Sequence, residues 1–238
     1  MFEQWATRIK EWTAEKVGIE LTAEQVAQFC LYGDLLLEWN QKMNLTSIVD
    51  PAEIIIKHFI DSLTAKDYLR GKKMADIGTG AGFPGIPLKI AQPDLQLFLI
   101  DSLRKRLDFL REVVLKLGLE EVEIIHARAE ELGRNKKYRA GFEIATSRAV
   151  ARLPVLLEYA IPLLQVNGLF IAMKGSQGDA EIEEAREALL QLKAEVETVK
   201  KISLGSEAEY RTLIVIRKVA PTPEKYPRRP GIQVKNPL

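Results

Sequence analysis

A short stretch in which glycine alternates with small residues carries most of the chemistry that this sequence predicts. Residues 74–82 read Met-Ala-Asp-Ile-Gly-Thr-Gly-Ala-Gly, so a short apolar strand ends in Asp76 and glycines follow at 78, 80 and 82. Because glycine has no Cβ, the chain can turn sharply there and a ligand can lie against bare backbone. An acid just before such a loop suits a ligand with a cationic end better than a pyrophosphate. The loop therefore favours S-adenosylmethionine, whose methionine end carries an ammonium beside its sulfonium.

The same spacing also fits a dinucleotide-binding protein. Gly80, Gly82 and Gly85 spell Gly-x-Gly-x-x-Gly, the phosphate-binding pattern of NAD and FAD domains. Asp101 lies 21 residues after Gly80, where an acid would hold a ribose hydroxyl in either class. The loop alone thus leaves a methyltransferase and a nucleotide-dependent oxidoreductase open, although the acid before it favours the methyltransferase.

The composition is that of an ordinary globular protein and excludes several other kinds of chemistry. The chain has 238 residues, of which 47% are hydrophobic and 28% charged, and its net charge is +1. One cysteine, Cys30, excludes an internal disulfide, and two histidines exclude a multi-histidine metal centre. We expect no metal. The chain starts without a basic-then-apolar leader, and its most apolar stretch is too short to span a bilayer, so we expect a cytoplasmic protein without a membrane partner.

The order of apolar patterns predicts three parts. Residues 1–70 show helical spacing and are expected to form a helical extension packed on the core. Residues 71–220 alternate strands with helices, which predicts an α/β, doubly wound and mostly parallel sheet. The predicted strands are Lys73–Ile77, Leu95–Ile100, Val122–Ile125, Phe142–Thr146, Gly168–Met173, Val196–Ser203 and Glu209–Arg217. The last two are close enough to form an antiparallel hairpin, which is typical of methyltransferases rather than of dehydrogenases.

Residues 221–238 form the third part, a basic and proline-rich tail. Seven basic residues and one acid lie between Arg211 and Leu238. A second basic cluster comprises Arg134, Lys136, Lys137 and Arg139. Both clusters are compatible with a phosphate-rich partner, and equally with an ordinary solvated surface. We expect the tail to be extended, and partly disordered when free.

Several separated blocks of sequence resemble one bacterial family, in the same order along the chain. The blocks are Trp39-Asn40, Met43-Asn-Leu-Thr-Ser47, His58-Phe-Ile-Asp-Ser-Leu63, Gly78-Thr-Gly-Ala-Gly-Phe-Pro-Gly-Ile-Pro87, Asp101-Ser-Leu103, Arg128-Ala-Glu130, Ser147-Arg-Ala-Val-Ala151 and Tyr226-Pro-Arg-Arg-Pro-Gly231. Together they are similar to the RsmG family, also called glucose-inhibited division protein B, from about residue 20 to the carboxyl end. The resemblance implies a class I S-adenosylmethionine-dependent methyltransferase, with a Rossmann-like, seven-stranded and mostly parallel sheet that ends in an antiparallel hairpin.

The resemblance also implies a reaction and a substrate. Members of the family transfer a methyl group from S-adenosylmethionine to N7 of a guanine in the 530 loop of 16S ribosomal RNA, and S-adenosylhomocysteine is the product. The expected partner is therefore 16S rRNA or the small ribosomal subunit, and we expect the protein to be a monomer. Neutral guanine N7 has a lone pair and no proton, so we predict no general acid or base.

The glycine loop and the strand ends beside it are expected to hold the cofactor. By the resemblance, the backbone of Gly78 and Gly80 contacts its methionine portion, and Asp76 could accept a hydrogen bond from its ammonium. Asp101 is expected to bond the ribose hydroxyls, because a charged acceptor makes the stronger hydrogen bond. The full set of expected cofactor residues is Asp76, Gly78, Gly80, Phe83, Asp101, Ser102, Leu103, Ala129, Glu130 and Arg148.

Some members of that set have ordinary structural alternatives. Phe83 could pack a helix on the sheet, Leu103 could pack in the core, and Ala129-Glu130, expected at the adenine, could instead begin a helix. Arg148 is expected at the cofactor and is the one candidate for a catalytic role, through the cofactor, an RNA phosphate or guanine O6. Further candidates to line the site, or only to support it, are His58, Asp61 and Lys174.

The residues expected at the RNA come from the two basic clusters and from one break between helices. They are Asn44, Arg134, Lys136, Lys137, Arg139, Lys225, Arg228, Arg229 and Lys235. Two alternatives stand beside the methyltransferase: an NAD- or FAD-binding oxidoreductase, and a non-catalytic RNA-binding protein on the same fold.

Overall fold

A seven-stranded sheet organises the computed structural model, which describes residues 1–204 and 210–238. Its strands are β1 (Lys73–Ile77), β2 (Gln96–Asp101), β3 (Val122–His126), β4 (Phe142–Arg148), β5 (Leu164–Lys174), β6 (Ala194–Ser203) and β7 (Tyr210–Lys218). The spatial order is β3-β2-β1-β4-β5-β7-β6, and only the pairings of β7 with β5 and β6 are antiparallel. The prediction of a mostly parallel sheet with a terminal hairpin is confirmed. Because the strand order reverses between β1 and β4, a crevice opens at their carboxyl ends.

The strand boundaries differ little from those predicted, except for β5. That strand begins at Leu164, four residues before the predicted Gly168, because Leu164 pairs with Phe142 before the register shifts. The predicted start of the last strand, Glu209, lies outside the described residues.

Helices cover both faces of the sheet. They are α1 (Ala6–Val17), α2 (Ala23–Asn40), α3 (Pro51–Ile54), α4 (Asp61–Leu63), α5 (Gly85–Ala91), α6 (Arg104–Lys116), α7 (Ala129–Arg134), α8 (Leu153–Ala160), α9 (Gly178–Glu184), α10 (Arg186–Leu192) and α11 (Ile232–Lys235). Short 3₁₀ turns span Phe2–Trp5, Lys66–Tyr68 and Ile161–Leu163. Among these, no helix of the described residues has both the length and the apolar character that a membrane crossing requires.

One helix near the amino end changes its geometry halfway. Asp50 caps the amide of Glu53 and Pro51 occupies the first turn, as helix starts require. A π-helical segment, Ile55–Ile60, then joins α3 to α4. We call the continuous element, residues 51–63, the bridging helix. Single π turns occur often at functional sites, and this one lies beside the crevice.

The amino-terminal helices share one hydrophobic core with the sheet. Phe2, Phe29 and Phe59 belong to the same buried cluster as Leu97 of β2 and Leu110 of α6. A separate cluster on the opposite face packs α8 and α10 against the sheet. The predicted boundary at residue 70 therefore precedes the first strand, but apolar packing continues across it.

The tail is folded onto the core, which differs from the extended segment that its composition predicts. Glu158 of α8 is completely buried and accepts hydrogen bonds from the backbone amide, Nε and Nη2 of Arg228. Arg139 donates to the carbonyls of Tyr226 (2.7 Å) and Thr222 (2.9 Å). The ring of Tyr226 and the amide of Gln233 are buried. A buried charge needs a partner, and here the partner lies in the tail.

Candidate active site

A cleft of about 680 Å³ opens at the carboxyl ends of β1, β2 and β4. Its walls come from the segments that follow the first four strands, together with Leu45, Thr46 and His58 from the amino-terminal region and Val234 from the tail. We call the end beside Phe83, His58 and Arg148 the β4 end. The end beside Leu103, Ala129 and Glu130 is called the β3 end. The size is typical of sites for small organic ligands.

Nine of the ten predicted cofactor residues line this cleft. They are Gly78, Gly80, Phe83, Asp101, Ser102, Leu103, Ala129, Glu130 and Arg148. Residues up to 70 positions apart in the chain are thus brought together, because parallel strands all end at the same edge of the sheet.

The glycine loop is held in a shape that other residues could not adopt. Gly78, Gly80 and Gly82 have φ values of +67°, +61° and +95°. A Cβ on Gly78 would lie 2.5 Å from Cγ2 of Val150, and one on Gly82 would lie 2.8 Å from the Tyr32 hydroxyl. Both the backbone conformation and the space around it therefore require glycine.

Asp76, the tenth predicted residue, lies behind the loop and not in the cleft. Its side chain is fully buried, and its Oδ2 accepts hydrogen bonds from Thr79 Oγ1 (2.6 Å) and the Gly85 amide (2.9 Å). Thr146 Oγ1 donates to its other oxygen at 3.3 Å. Burial raises the pKa of Asp76 to about 6 against these hydrogen bonds, which act to lower it. The expected contact with a cofactor ammonium is replaced by a supporting role, in which Asp76 fixes both ends of the loop.

Asp101 is the last residue of β2, and its carboxylate faces the cleft. Its Oδ1 accepts from the Leu103 amide (2.8 Å), and its Oδ2 accepts from the Gly80 amide (3.0 Å). Arg106 Nη1 approaches the same Oδ2 at 3.3 Å. These contacts hold the carboxylate at the cleft wall. A carboxylate has about four lone-pair sites, so acceptor capacity remains for a ligand hydroxyl.

The β3 end combines an exposed apolar side chain with a buried acid. Leu103 is 52% exposed, so the core-packing alternative for it is wrong. Glu130 is only 5% exposed, lines the cleft and makes no hydrogen bond or ion pair with another described residue. Tyr159 of α8, which the sequence patterns did not indicate, lies at the same end, and its burial raises its pKa to about 12. The carboxylate of Glu130 therefore faces the cleft with acceptor capacity that a ligand can use.

Arg148, at the β4 end, is held by the bridging helix. Its Nη1 donates to Lys57 O (2.9 Å) and to Asp61 Oδ2 (2.8 Å), and its Nη2 donates to His58 Nδ1 (3.0 Å). The guanidinium also lies 4.8 Å from the centre of the Phe83 ring. Three of its five N–H donors are used inside the protein, so two remain for a ligand.

The side chains around His58 keep its ring neutral at the β4 end. His58 Nδ1 lies 3.0 Å from Arg148 Nη2 and 3.1 Å from Lys57 O, and its Nε2 lies 2.8 Å from Thr46 Oγ1. Burial, and then the charge of Arg148, lower the pKa of His58 to about 3. Asp61 is 2% exposed and also pairs with Arg211 at 3.3 Å. His58 therefore lines the cleft as a neutral ring, and Asp61 supports Arg148 from behind.

Lys174 does not line the cleft but supports the loop beside it. Its Nζ pairs with Glu181 at 2.7 Å and donates to Ala151 O at the same distance. Ala151 belongs to the segment that follows β4.

The structure divides the residues predicted at the RNA into engaged and exposed ones. Arg139 and Arg228 hold the tail, as described, and Arg134 Nε donates to Pro227 O at 2.8 Å. For Arg139 and Arg228 the predicted RNA contact is corrected to an internal one, because their donors are used by buried acceptors. Lys137 lies near Glu123 and Tyr138. The exposed ones are Asn44, Lys136, Lys225, Arg229 and Lys235, and of these Asn44 directly precedes Leu45 at the cleft.

No group of three or more metal-binding side chains is found within residues 1–204 and 210–238. The strand order and the terminal antiparallel hairpin define the class I methyltransferase fold. The structure shares its fold with an S-adenosylmethionine-dependent O-methyltransferase from Thermotoga maritima, with a TM-score of 0.52 at 18% identity over 78% of this chain and 71% of that one.

Comparison of sequences identifies the family. A family model described as rRNA small subunit methyltransferase G matches residues 25–211. The chain is 53% identical over 226 residues to ribosomal RNA small subunit methyltransferase G of Desulfitobacterium hafniense strain Y51, across 95% of each chain. It is 46% identical to the protein of the same name from Geobacillus sp. strain WCH70, across 94% of this chain and 95% of that one. The chain belongs to the rRNA small subunit methyltransferase G family, which confirms the resemblance.

Family membership makes the chain a methyltransferase with S-adenosylmethionine as its cofactor, and the oxidoreductase alternative is set aside. The residues that line the cleft fit S-adenosylmethionine. The carboxylate of Glu130 lines the cleft and offers an acceptor for an amino group, and Asp101 offers one for hydroxyls. At the opposite end, Arg148 offers donors for a carboxylate.

Proposed function

We propose that this protein methylates N7 of a guanine in the 530 loop of 16S ribosomal RNA, with 16S rRNA or the small subunit as its substrate. The observation that carries the proposal is the β4 end of the cleft, where Arg148 meets a neutral His58 and the described residues include no free base. Relatives at 46% to 53% identity, whose names describe small-subunit rRNA methyltransferases, support the choice of RNA.

The residues that would hold S-adenosylmethionine follow from the cleft. Asp101 would accept from the ribose hydroxyls while keeping its bonds to the Leu103 and Gly80 amides. Glu130 would accept from the adenine amino group, and Leu103 would cover the ring. The remaining donors of Arg148 would bind the carboxylate of the methionine portion, beside the bare backbone of the glycine loop. When bound, this cofactor supplies an electrophilic methyl group on a sulfonium.

The chain's own residues supply position rather than proton transfer. Guanine N7 presents a lone pair, so its methylation requires no base. Of the described residues at the β4 end, His58 is the one with a titratable ring, and both of its nitrogens are engaged, with Arg148 and Thr46. A ring with a pKa of about 3 accepts no proton at neutral pH. Rate acceleration would then come from alignment of the reacting atoms and from exclusion of water.

The guanine must be presented unstacked, by the fold of the RNA or by extrusion, because a base inside a stacked helix cannot enter a protein cleft. Phe83 presents an aromatic side chain at the β4 end, and the loop containing Asn44, Leu45 and Thr46 forms the adjacent wall. Asn40 Oδ1 accepts from the amides of Leu45 (2.8 Å) and Thr46 (3.0 Å) and so fixes that wall.

Methyl transfer to defined RNA tests the proposal directly. The protein is incubated with tritiated S-adenosylmethionine and with 16S rRNA or 30S subunits from a strain that lacks the endogenous activity. Modified guanines are then mapped by borohydride reduction and aniline cleavage, which cut at N7-methylguanosine. One strong cleavage within the 530 loop is expected. Label on another atom or another loop would refute the assigned target, and RNA binding without any transfer would favour the non-catalytic alternative.

A further inference from the structure

Several basic residues, beside the cleft and elsewhere, are already engaged inside the protein. Arg106 pairs with the Asp101 carboxylate at 3.3 Å, and Arg152 pairs with Glu184. Arg139 is occupied by carbonyls of the tail. These side chains stabilise the fold or the cleft wall, so their positive charge does not by itself indicate a partner.

Three exposed basic residues beside the β3 end differ from these. We call Arg104, Lys105 and Arg128 the basic rim. The side chains of all three are exposed. Those of Arg104 and Lys105 form no hydrogen bond or ion pair with another described residue, whereas the Arg128 amide donates to Glu131 Oε2 at 3.2 Å. Arg104 and Lys105 directly follow Leu103, which lines the cleft, and Arg128 lines it itself.

Their position in the helices costs stability rather than adding to it. Arg104 and Lys105 occupy the first turn of α6, a turn that holds no acid, whereas Arg128 precedes α7, whose first turn carries Glu130 and Glu131. The positive end of the helix dipole disfavours cations there, and acids are the usual residues. The helix dipole therefore gives no reason for Arg104 and Lys105 at the start of α6, whereas a polyanion lying across the β3 end would.

We propose that the basic rim binds backbone phosphates of the RNA substrate, and this inference rests on the proposed function. Lysine and arginine contacts to phosphate supply most of the sequence-independent affinity for a nucleic acid and fix its position on the protein. The rim lies along one side of the cleft, so phosphates bound there would hold the RNA while a nearby guanine enters at the β4 end. Phosphates bound there would lie at the cleft margin, whereas Arg134 and Arg139 of the second basic cluster bond to the tail.

A charge-matched pair of double variants tests the rim. In the first, Arg104→Gln is combined with Lys105→Gln; in the control, Lys10→Gln is combined with Lys16→Gln on α1, where both lysines are exposed and away from the cleft. Each variant loses two positive charges. Affinity for a fluorescent 16S rRNA transcript containing the 530 loop is measured by anisotropy from 50 to 300 mM KCl, roughly the range in which such affinities change most. Affinity for S-adenosylmethionine and melting temperature are measured in parallel.

The rim variant should bind RNA more weakly, and the slope of log affinity against log salt should fall in magnitude by about 1.4 to 1.8. Its cofactor affinity should be unchanged and its melting temperature equal or higher, since a structural role for the two residues would lower it. Equal slopes for rim and control variants would overturn the inference. Methyl transfer by the wild-type protein is measured separately. If the wild type binds RNA through the basic rim but does not methylate N7, only the proposed function is refuted.

Discussion

Asp76 allows a test of the electrostatics beneath the cofactor cleft. Burial raises its pKa from 3.8 to about 6, although three hydrogen bonds from Thr79, Gly85 and Thr146 oppose the shift. The folded protein then holds the proton more tightly than the unfolded chain. The stability that this proton contributes is complete below about pH 4 and is lost as the pH rises through about 6. The shift corresponds to about 3 kcal/mol.

The assay compares urea unfolding of the wild type with that of Asp76→Asn from pH 4 to pH 7. Asparagine keeps the size of the side chain and an acceptor for the loop, but it cannot titrate. All other titrating groups cancel in the difference between the two proteins. The free energy of unfolding of the wild type, relative to the variant, should fall by about 3 kcal/mol over this range. A flat or rising difference would refute the reasoning, because it would mean that the hydrogen bonds outweigh burial.

Cofactor binding should also shift the protonation equilibrium of Asp76. A positive charge on a ligand bound above the loop favours the ionised form of Asp76 and so lowers its pKa. Binding of S-adenosylmethionine near pH 6 should therefore release a proton, which calorimetry in buffers of different ionisation enthalpy detects. The release should disappear in Asp76→Asn. Proton uptake on binding would contradict a cationic ligand above the loop.

Two further substitutions test the assignments of single carboxylates and arginines. Asp101→Ala should weaken S-adenosylmethionine binding at least 100-fold, which is roughly the loss of two charge-assisted hydrogen bonds. The control Asp94→Ala, at an exposed site before β2, should leave this affinity unchanged. A loss below about 5-fold for Asp101→Ala would refute the ribose contact. Arg228→Ala should lower the free energy of unfolding by about 3 to 5 kcal/mol, because it leaves the carboxylate of Glu158 buried and unpaired. Arg229→Ala, its exposed neighbour, should change stability by less than about 0.5 kcal/mol, and similar values for the two variants in urea unfolding would contradict the internal role of Arg228.

The parts of the fold that the sequence predicted are those with local causes. Buried parallel strands appear as short apolar runs, and the run before Asp101 therefore marked β2 within one residue of its observed start. The glycine loop was recognisable because a positive φ at Gly78 and Gly80 demands a particular residue type. Once strand order was known, the cleft followed from topology, since the functional segments all leave the same edge of the sheet.

The predictions that the structure corrects depend on contacts between distant parts of the chain. Arg228 and Glu158 are 70 residues apart, and only the packing of the tail on α8 reveals that the arginine is occupied. Clusters of positive charge look alike in a sequence whether they face water, a carbonyl or a phosphate. Asp76 was placed in the cleft because it precedes the loop, but strand alternation turns its side chain away from it. Each correction depends on which side of an element a residue faces, and the sequence pattern left that side undetermined.

The amino-terminal helices are part of the site rather than an appendage to it. Arg148 belongs to β4, yet all three of its internal hydrogen bonds go to the bridging helix. That helix is in turn positioned by Phe59, whose ring lies 5.1 Å from Phe29 and 6.3 Å from Phe83, the residue beneath the guanidinium. One aromatic cluster thus joins the core of the first 70 residues to the β4 end of the cleft. A cavity made at Phe29 would therefore loosen Arg148 without touching it, so the boundary predicted at residue 70 separates two sequence patterns and not two functions.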